Sequence, residues 1–267
     1  MQYNTLYLTE NDCYKRGEKI TPKGIVVHST GANNPNLKRY VGPDDGVLGH
    51  NPHNNHWNRA GIEKCVHAFI GYDRNKLVRC YNTLPWNHRS WGCGSGQNGS
   101  YNNSHIQFEI CEDNLGNERY FNEAFKIAIG LCAYLCKKFN ISVSNIVSHR
   151  EAHSRGYASN HSDPHNWLGE YDWTMDTFRE KISQKIMNIN NTVGSEVGVN
   201  TSFGVVVVTY SGPDGLNIRS APEIADNVVR IAYEGEELEA VEQIGSWYKL
   251  TDGNYVIANS QYVSFRR

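Results

Sequence analysis

Three short polar segments in the first part of the chain carry residue types that bind a catalytic metal. His28 ends an apolar run, His149 follows another, and Asp163 lies in Asn160-His161-Ser162-Asp163-Pro164. Two imidazoles and one carboxylate are a ligand set that zinc accepts, and a catalytic zinc keeps its fourth position open for water. We therefore predict that His28, His149 and Asp163 bind one Zn²⁺ per chain.

The third ligand has alternatives, because His161, Asp163 and His165 alternate within five residues. Zinc binds imidazole nitrogen readily, so His161 or His165 can replace Asp163 in this role. His153, four residues after His149, would share a face with it on a helix. The residues that follow His153 favour a loop, so we predict that this histidine either supports a metal ligand or is structural.

A strand and a helix between these segments are predicted from the spacing of apolar residues. In His105 to Cys111 polar and apolar residues alternate, so that Glu109 points away from the apolar face, together with Gln107. In the next segment, Phe121 to Phe139, apolar residues recur at helical spacing, and Asn140 after it is a residue type that ends helices. Its apolar positions are Phe121, Ala124, Phe125, Ala128, Ile129, Cys132, Leu135, Cys136 and Phe139.

Further elements extend this pattern to a whole domain. Cys65 to Ile70 and Leu77 to Tyr81 are predicted strands, and Tyr171 to Ile189 is a predicted helix that begins near Asp172 or Thr174. Strands and helices mixed in this order predict an α/β fold, with a mixed central sheet and flanking helices.

The remainder of the chain has a different composition. Residues 188–203 are rich in Asn, Gly, Ser, Thr and Val without periodicity, which predicts a linker. Short apolar runs separated by turn signals then predict a small all-β barrel over residues 204–267. These runs are Val205–Val208, Leu216–Arg219, Val228–Ile231, Leu238–Val241, Trp247–Leu250 and Tyr255–Ala258.

Composition limits the possible partners and the compartment. A formal net charge of -2 argues against a nucleic-acid-binding surface, and no polybasic or long apolar run indicates membrane contact. The N-terminus lacks the pattern of a signal peptide, so we expect synthesis in a cytosol. Seven cysteines in no secreted-scaffold spacing predict reduced thiols. The sequence does not indicate an oligomeric state.

The ordered motifs resemble those of the zinc-dependent N-acetylmuramoyl-L-alanine amidases, whose fold is shared by peptidoglycan recognition proteins and several phage lysins. The matching motifs are I-V-V-H-S-T at residues 25–30, F-E-I at 108–110, S-H-R-E at 148–151 and Asp-Pro at 163–164. The resemblance covers roughly Thr21 to Leu168. It implies bacterial peptidoglycan as substrate, cleavage between N-acetylmuramic acid and L-alanine, and a catalytic domain over residues 1–187.

The same resemblance assigns roles beside the metal. It places Glu109 where related amidases carry a catalytic glutamate, which we take as the general base. His161 stands where many relatives carry a lysine that stabilises the tetrahedral intermediate. A neutral imidazole donates one N–H, whereas an imidazolium offers two donors and a charge, so the protonation state of His161 in that role stays open.

Other segments resemble endolysins of phages that infect clostridia and related bacteria. They are residues 55–59 and 84–94, which contain the candidate substrate-binding residues Trp57, Arg89 and Trp91. Tryptophans are also common core residues, so packing is the alternative role. The resemblance implies a phage endolysin that is made in the host cytoplasm, leaves through a holin pore and lyses a Gram-positive host.

Residues 204–267 resemble a bacterial SH3-type domain through L-N-I-R-S-A-P at 216–222 and G-S-W-Y-K-L at 245–250. In lysins such domains commonly bind the cell wall. Two alternative functions remain for the chain as a whole: a non-catalytic peptidoglycan-binding receptor of the same fold, and a zinc peptidase that cuts within the stem peptide. Receptors of this fold typically lack the third metal ligand, so the presence of Asp163 and Glu109 favours an enzyme.

Overall fold

The computed structural model describes residues 3–194, 203–225 and 227–266. Contacts divide the chain into two compact units, residues 1–191 and 192–267. The predicted linker began at residue 188, but the last helix of the first unit continues to Gly194. Residues 195–202, the rest of that predicted linker, lie outside the described residues.

The first unit is built around a mixed six-stranded sheet with the order β1-β4-β3-β5-β2-β6. The antiparallel pair is β3 with β4, and the other pairs are parallel. The strands are β1 (Asn4–Thr5), β2 (Gly24–Ser29), β3 (Ala68–Tyr72), β4 (Val78–Asn82), β5 (His105–Ile110) and β6 (Ile146–Ser148). The predicted mixed α/β architecture is therefore confirmed.

Helices pack against the sheet and close its core. Helix α1 covers Asp12–Arg16, and the long helix α2 covers Glu118–Phe139, where Asn140 caps its end in the left-handed conformation as predicted. The apolar face of α2 is buried, with Cys132 and Cys136 in the hydrophobic core. Burial of such a face is the main source of helix stability in a globular protein.

Three further helices follow β6. Helix α3 spans His149–Ser154, α4 spans His165–Gly169 and α5 spans Met175–Gly194. The prediction of a loop around His153 is therefore wrong, since His153 lies on α3. Its Nδ1 is 3.1 Å from the carbonyl oxygen of Ala158, which agrees with a structural role, one of the two expected for it. The Thr174 hydroxyl accepts a hydrogen bond from the Thr177 N–H at the start of α5, as the sequence indicated.

The cysteines differ in part from the expectation of reduced thiols. Cys13 and Cys65 form a disulfide that links α1 to the segment before β3, so the prediction of reduced thiols is wrong for these two. They are 52 residues apart, and their spacing in the sequence did not indicate the pairing. The other cysteines are free and buried, namely Cys80, Cys93, Cys111, Cys132 and Cys136. Burial raises the pKa of Cys80 to about 12, so this thiol stays protonated.

The second unit is a seven-stranded antiparallel sheet with the order β13-β7-β10-β11-β12-β8-β9. All six predicted strands are present, and Val263–Arg266 adds one that the sequence analysis missed. The strands are β7 (Gly204–Val208), β8 (Leu216–Arg219), β9 (Val228–Ala232), β10 (Glu237–Ile244), β11 (Trp247–Leu250), β12 (Tyr255–Ile257) and β13 (Val263–Arg266). Alternate side chains, such as Val206 and Val208, are buried in a core of its own.

Among the described residues, no helix combines the length and the apolar character needed to cross a lipid bilayer.

The buried side chain of His67, just before β3, generates a prediction about acid stability. Its Nε2–H donates to the carbonyl of His88 (2.9 Å), and its Nδ1 accepts from the Gln107 N–H (3.0 Å). The second bond requires an unprotonated Nδ1 and hence the neutral ring, and burial lowers the pKa of His67 to about 4. The unfolded chain binds this proton near pH 6.5.

We therefore expect the free energy of unfolding to fall as the pH decreases from about 6.5 to 4, by at most about 1.4 kcal/mol per pH unit from His67. Urea unfolding at several pH values measures this slope. His67→Gln, which cannot take up the proton, should be less stable at pH 7 but show a shallower slope. The exposed control His53→Gln should keep the wild-type slope. An unchanged slope in His67→Gln would contradict the assignment.

Candidate functional site

The carboxyl ends of three neighbouring parallel strands bring the predicted site residues together. Strand β2 pairs with β5 on one side and with β6 on the other, and His28 lies directly beside Glu109 in this register. His149 is the first residue of α3, immediately after β6. Asp163 precedes α4 and is joined to Pro164 by a cis peptide bond. Ligand sites in open α/β sheets commonly lie at such a strand edge.

The donor atoms of His28, His149 and Asp163 converge. His28 Nδ1 is 3.1 Å from Asp163 Oδ2, His149 Nδ1 is 3.3 Å from Asp163 Oδ1, and the two Nδ1 atoms are 3.1 Å apart. Ligand atoms about 2.0–2.1 Å from a tetrahedral zinc lie about 3.3 Å from one another. Each histidine Nδ1 lies at about this distance from the other and from one of the two Asp163 oxygens, and with one atom taken per residue the three lie within 4.8 Å of one another. Among the described residues, these three form a His-His-Asp group that could hold a metal ion.

Electrostatics at this cluster favour a positive charge. Burial alone would lower the pKa of His28, but its hydrogen bond with Asp163 and the charge of that carboxylate raise it to about 9. Burial opposes ionisation of Asp163, yet its bonds with His149 and His28 hold the pKa of this carboxyl well below its usual range. An ionised carboxylate between two imidazoles is an environment that stabilises a cation.

A capping box fixes the start of α3 and hence the position of His149. The Ser148 hydroxyl accepts a hydrogen bond from the Glu151 N–H (2.9 Å), and the Glu151 carboxylate accepts one from the Ser148 N–H (3.0 Å). Arg179 of α5 binds both carboxylate oxygens of Glu151, at 2.9 and 3.0 Å. A capping box of this kind gives hydrogen-bond partners to two backbone N–H groups at the start of a helix.

The Ser148 hydroxyl also connects this helix start to the segment that carries Asp163. Ser148 Oγ is 2.8 Å from His165 Nε2, at the first residue of α4. Asp163 belongs to the converging donor set, whereas His165 does not. The structure thus favours Asp163 over His165 as the third ligand.

Glu109 stands beside the cluster with a free oxygen. Its side chain is partly buried, and Oε2 is buried with no hydrogen-bond partner among the residues that the structure describes. Burial raises the pKa of Glu109 to about 7, an effect that the neighbouring His28 partly opposes. A carboxylate without a structural partner and with a raised pKa has the properties of a general base.

His161 is exposed and lies against the cluster. Its ring centroid is 4.6 Å from that of His149, with an angle of 31° between the ring planes. Together with Asp163 it lines a cavity of about 290 Å³. His161 is not part of the converging donor set. It is therefore placed to contact a group that enters this cavity.

The candidate substrate-binding residues divide into two places. Trp91 is 39% exposed, and the Arg89 guanidinium lies 4.9 Å from its ring centroid. Trp57 instead packs edge-on against Phe69, at 5.1 Å between ring centroids, in a separate hydrophobic cluster. Trp91 offers an exposed aromatic face beside the partly buried Arg89 guanidinium, which is also 3.5 Å from Glu18. The contacts of Trp57 are those of a packing residue.

Two buried amide side chains near His28 were not singled out from the sequence. Gln107 Oε1 is 2.9 Å from His28 Nε2, and Gln107 Nε2 is 2.7 Å from Asn102 Oδ1. The alternation of β5 placed Gln107 on the same face as Glu109, which was an available signal. Nothing in the sequence pattern indicated Asn102.

A larger groove of about 1160 Å³ lies along β4 and α2 and contains none of the candidate site residues. Cavity size therefore does not identify the chemical site in this unit. The converging donor atoms of His28, His149 and Asp163 do.

Comparison with known proteins places the segment that contains these residues in a family. A family model described as N-acetylmuramoyl-L-alanine amidase matches residues 18–166. N-acetylmuramoyl-L-alanine amidase CwlA of a Bacillus species is 30% identical over 111 residues, which are 41% of this chain and 40% of that protein. The match thus spans about two fifths of the length of the curated relative.

Solved structures show the same fold over the first unit. PlyL is 23% identical with a TM-score of 0.51, and the match covers 68% of this chain and 97% of that one. AmiA of Staphylococcus aureus, solved in complex with its ligand, is 18% identical with a TM-score of 0.50, covering 72% and 86%. The PlyG catalytic domain is 23% identical with a TM-score of 0.50, covering 70% and 96%. Through residues 18–166, this chain belongs to the N-acetylmuramoyl-L-alanine amidase family.

Proposed function

We propose that the protein is a zinc-dependent peptidoglycan hydrolase that cleaves the amide bond between N-acetylmuramic acid and L-alanine. The observation that carries this proposal is the convergence of His28 Nδ1, His149 Nδ1 and the Asp163 carboxylate beside Glu109. Membership of the amidase family supports the choice of bond. Two of the structural neighbours, PlyL and the PlyG catalytic domain, support the fold of the catalytic unit.

His28, His149 and Asp163 would hold the zinc ion, whose chemistry when bound is to lower the pKa of water to about 7 and to polarise a carbonyl. Glu109 accepts the proton that the attacking water loses and passes it to the departing nitrogen of L-alanine. His161 donates a hydrogen bond to the carbonyl oxygen of the substrate as negative charge develops on it. One water is consumed, leaving a lactyl carboxylate and a peptide with a free amino terminus.

The location of these groups fits their roles. Glu109 Oε2 has no hydrogen-bond partner among the described residues. His161 and Asp163 line the same cavity. The Arg89–Trp91 pair is proposed to contact the sugar or the stem peptide, since an exposed tryptophan beside a guanidinium offers a flat apolar face and a cation.

The products distinguish this proposal from its two alternatives. Purified walls digested with the full chain should release peptides that begin with free L-alanine, detected by mass spectrometry. A zinc peptidase would instead leave L-alanine attached to the glycan and cut further along the stem. A non-catalytic receptor would bind the walls and release nothing. Either of the latter outcomes overturns the proposed reaction.

Metal analysis tests the proposed ligand set. We expect one zinc per chain in the wild type, because one converging donor set is present among the described residues. His28→Ala and His149→Ala should lose the zinc and the activity together. The exposed control His53→Ala should retain both. Full zinc occupancy in His28→Ala would show that this histidine is not a ligand.

The roles of Glu109 and His161 are tested by variants that should keep the metal. Glu109→Gln should lower turnover about 10²–10⁴-fold, the range for loss of a general base. His161→Ala should lower it about 10²-fold or more, as for loss of an oxyanion donor. Turnover on soluble muropeptide is measured beside zinc content, with Glu123→Gln on α2 and His53→Ala as controls.

Near-normal turnover in Glu109→Gln would remove Glu109 from the mechanism. Loss of zinc in His161→Ala would show that this histidine is a ligand.

For the second unit we propose a bacterial SH3-type domain that binds the wall of a Gram-positive host. Its all-β architecture supports this assignment. Several apolar side chains are exposed on β9 and beside it, and exposed apolar surface of this kind often marks an interaction site. They are Ile224, Val228, Val229 and Tyr233.

The two units should divide binding from catalysis. A 204–267 fragment is expected to sediment with susceptible walls and to release no peptide. A 1–194 fragment should hydrolyse soluble muropeptide but act more slowly than the full chain on intact cells, because it lacks the local enrichment that wall binding provides. If the 204–267 fragment shows no wall affinity while the full chain binds, the binding role belongs to the first unit.

A further inference from the structure

We infer that Gln107 and Asn102 are positioning residues that fix the proton of His28 on Nε2 and so direct its Nδ1 lone pair to the metal. The inference rests on the proposed zinc function, which it deepens. It starts from a chain of buried hydrogen bonds that runs from the backbone of Gly92 and Cys93 to the His28 ring.

The first step fixes the orientation of the Asn102 amide. The backbone N–H groups of Gly92 and Cys93 lie 3.1 and 3.2 Å from one terminal atom of Asn102. A backbone N–H can only donate, so this atom must be the oxygen Oδ1. The other terminal atom, Nδ2, lies 3.1 Å from the carbonyl of Gly94, which can only accept. Backbone groups thus determine both ends of this amide.

The second step transfers this orientation to Gln107. Asn102 Oδ1 lies 2.7 Å from one terminal atom of the Gln107 amide. Two oxygens would repel at that distance, so Gln107 presents its Nε2 as donor. Its oxygen Oε1 then faces His28, 2.9 Å from Nε2. An amide oxygen only accepts, and therefore His28 must carry a proton on Nε2.

The third step concerns the metal. With Nε2 protonated, the ring offers a lone pair at Nδ1, the atom that meets His149 Nδ1 and Asp163. His28, Gln107 and Asn102 are each no more than 1% exposed. Bulk water therefore does not replace a lost partner, and the wrong tautomer would leave two acceptors facing each other. Partners of metal-binding histidines typically change metal affinity 10–100-fold when they are removed.

The test measures zinc affinity of the full chain by competition with a chelator. Gln107→Leu removes the acceptor for His28 and should weaken zinc binding 10–100-fold. Gln107→Glu keeps the acceptor that faces His28 but loses the donor to Asn102 Oδ1, so it should weaken binding less than Gln107→Leu does without restoring the wild-type affinity. The matched control is Asn82→Leu, which removes a buried amide that donates to the carbonyls of His67 and Leu84. This control should lose stability but keep the wild-type zinc affinity.

A spectroscopic readout separates positioning from general destabilisation. In the zinc-loaded wild type, ¹H–¹⁵N spectra should show His28 protonated on Nε2 and bound to zinc through Nδ1. In Gln107→Leu the same Nε2–H should exchange faster with water. Coordination of zinc through His28 Nε2 in the wild type would overturn the inference, even if no variant folds. A zinc affinity of Gln107→Leu equal to that of the wild type would also overturn it. A wild-type chain that binds no zinc instead overturns the proposed function.

Discussion

The parallel pairing of β2 with β5 and β6 is the constraint on which the site depends. It sets His28 directly beside Glu109, and it ends β6 one residue before His149. Side chains on a strand alternate between faces, so a shift of one residue in β5 would turn Glu109 away from His28. The fully buried apolar residues of β2 and β5 oppose such a shift. They include Ile25, Val27, Ile106 and Phe108.

Burial of polar groups at this edge requires partners, and the neighbouring segments supply them. Glu151 and Ser148 satisfy the start of α3, and Arg179 neutralises the Glu151 carboxylate. Gln107 and Asn102 satisfy the far side of the His28 ring. Because buried groups are costly to leave unpaired, these bonds also fix the positions of the ligands. Stability and the geometry of the candidate site therefore rest on the same hydrogen bonds.

The sequence predicted the elements with periodic apolar residues and the segments with characteristic metal-binding residue types. Periodicity located α2, β5 and most strands of the second unit, and the three ligand segments indicated the converging cluster. The sequence analysis did not predict contacts that depend on tertiary proximity, namely the Cys13–Cys65 disulfide and the Gln107–Asn102 hydrogen bond. The loop predicted around His153 is helical because the capping box starts a helix that local propensity alone did not reveal.

The surplus of negative charge at the site gives a further physical argument for a bound cation. Burial raises the pKa values of both Glu109 and Glu112, and the charge of Asp163 adds to each effect. The negative charge of Asp163 therefore opposes ionisation of both glutamates, and a positive charge nearby would offset this effect. The His28 and His149 rings can provide it only by taking up protons on the atoms that would otherwise bind a metal. A divalent ion between them would supply that charge and leave Glu109 free to act as a base.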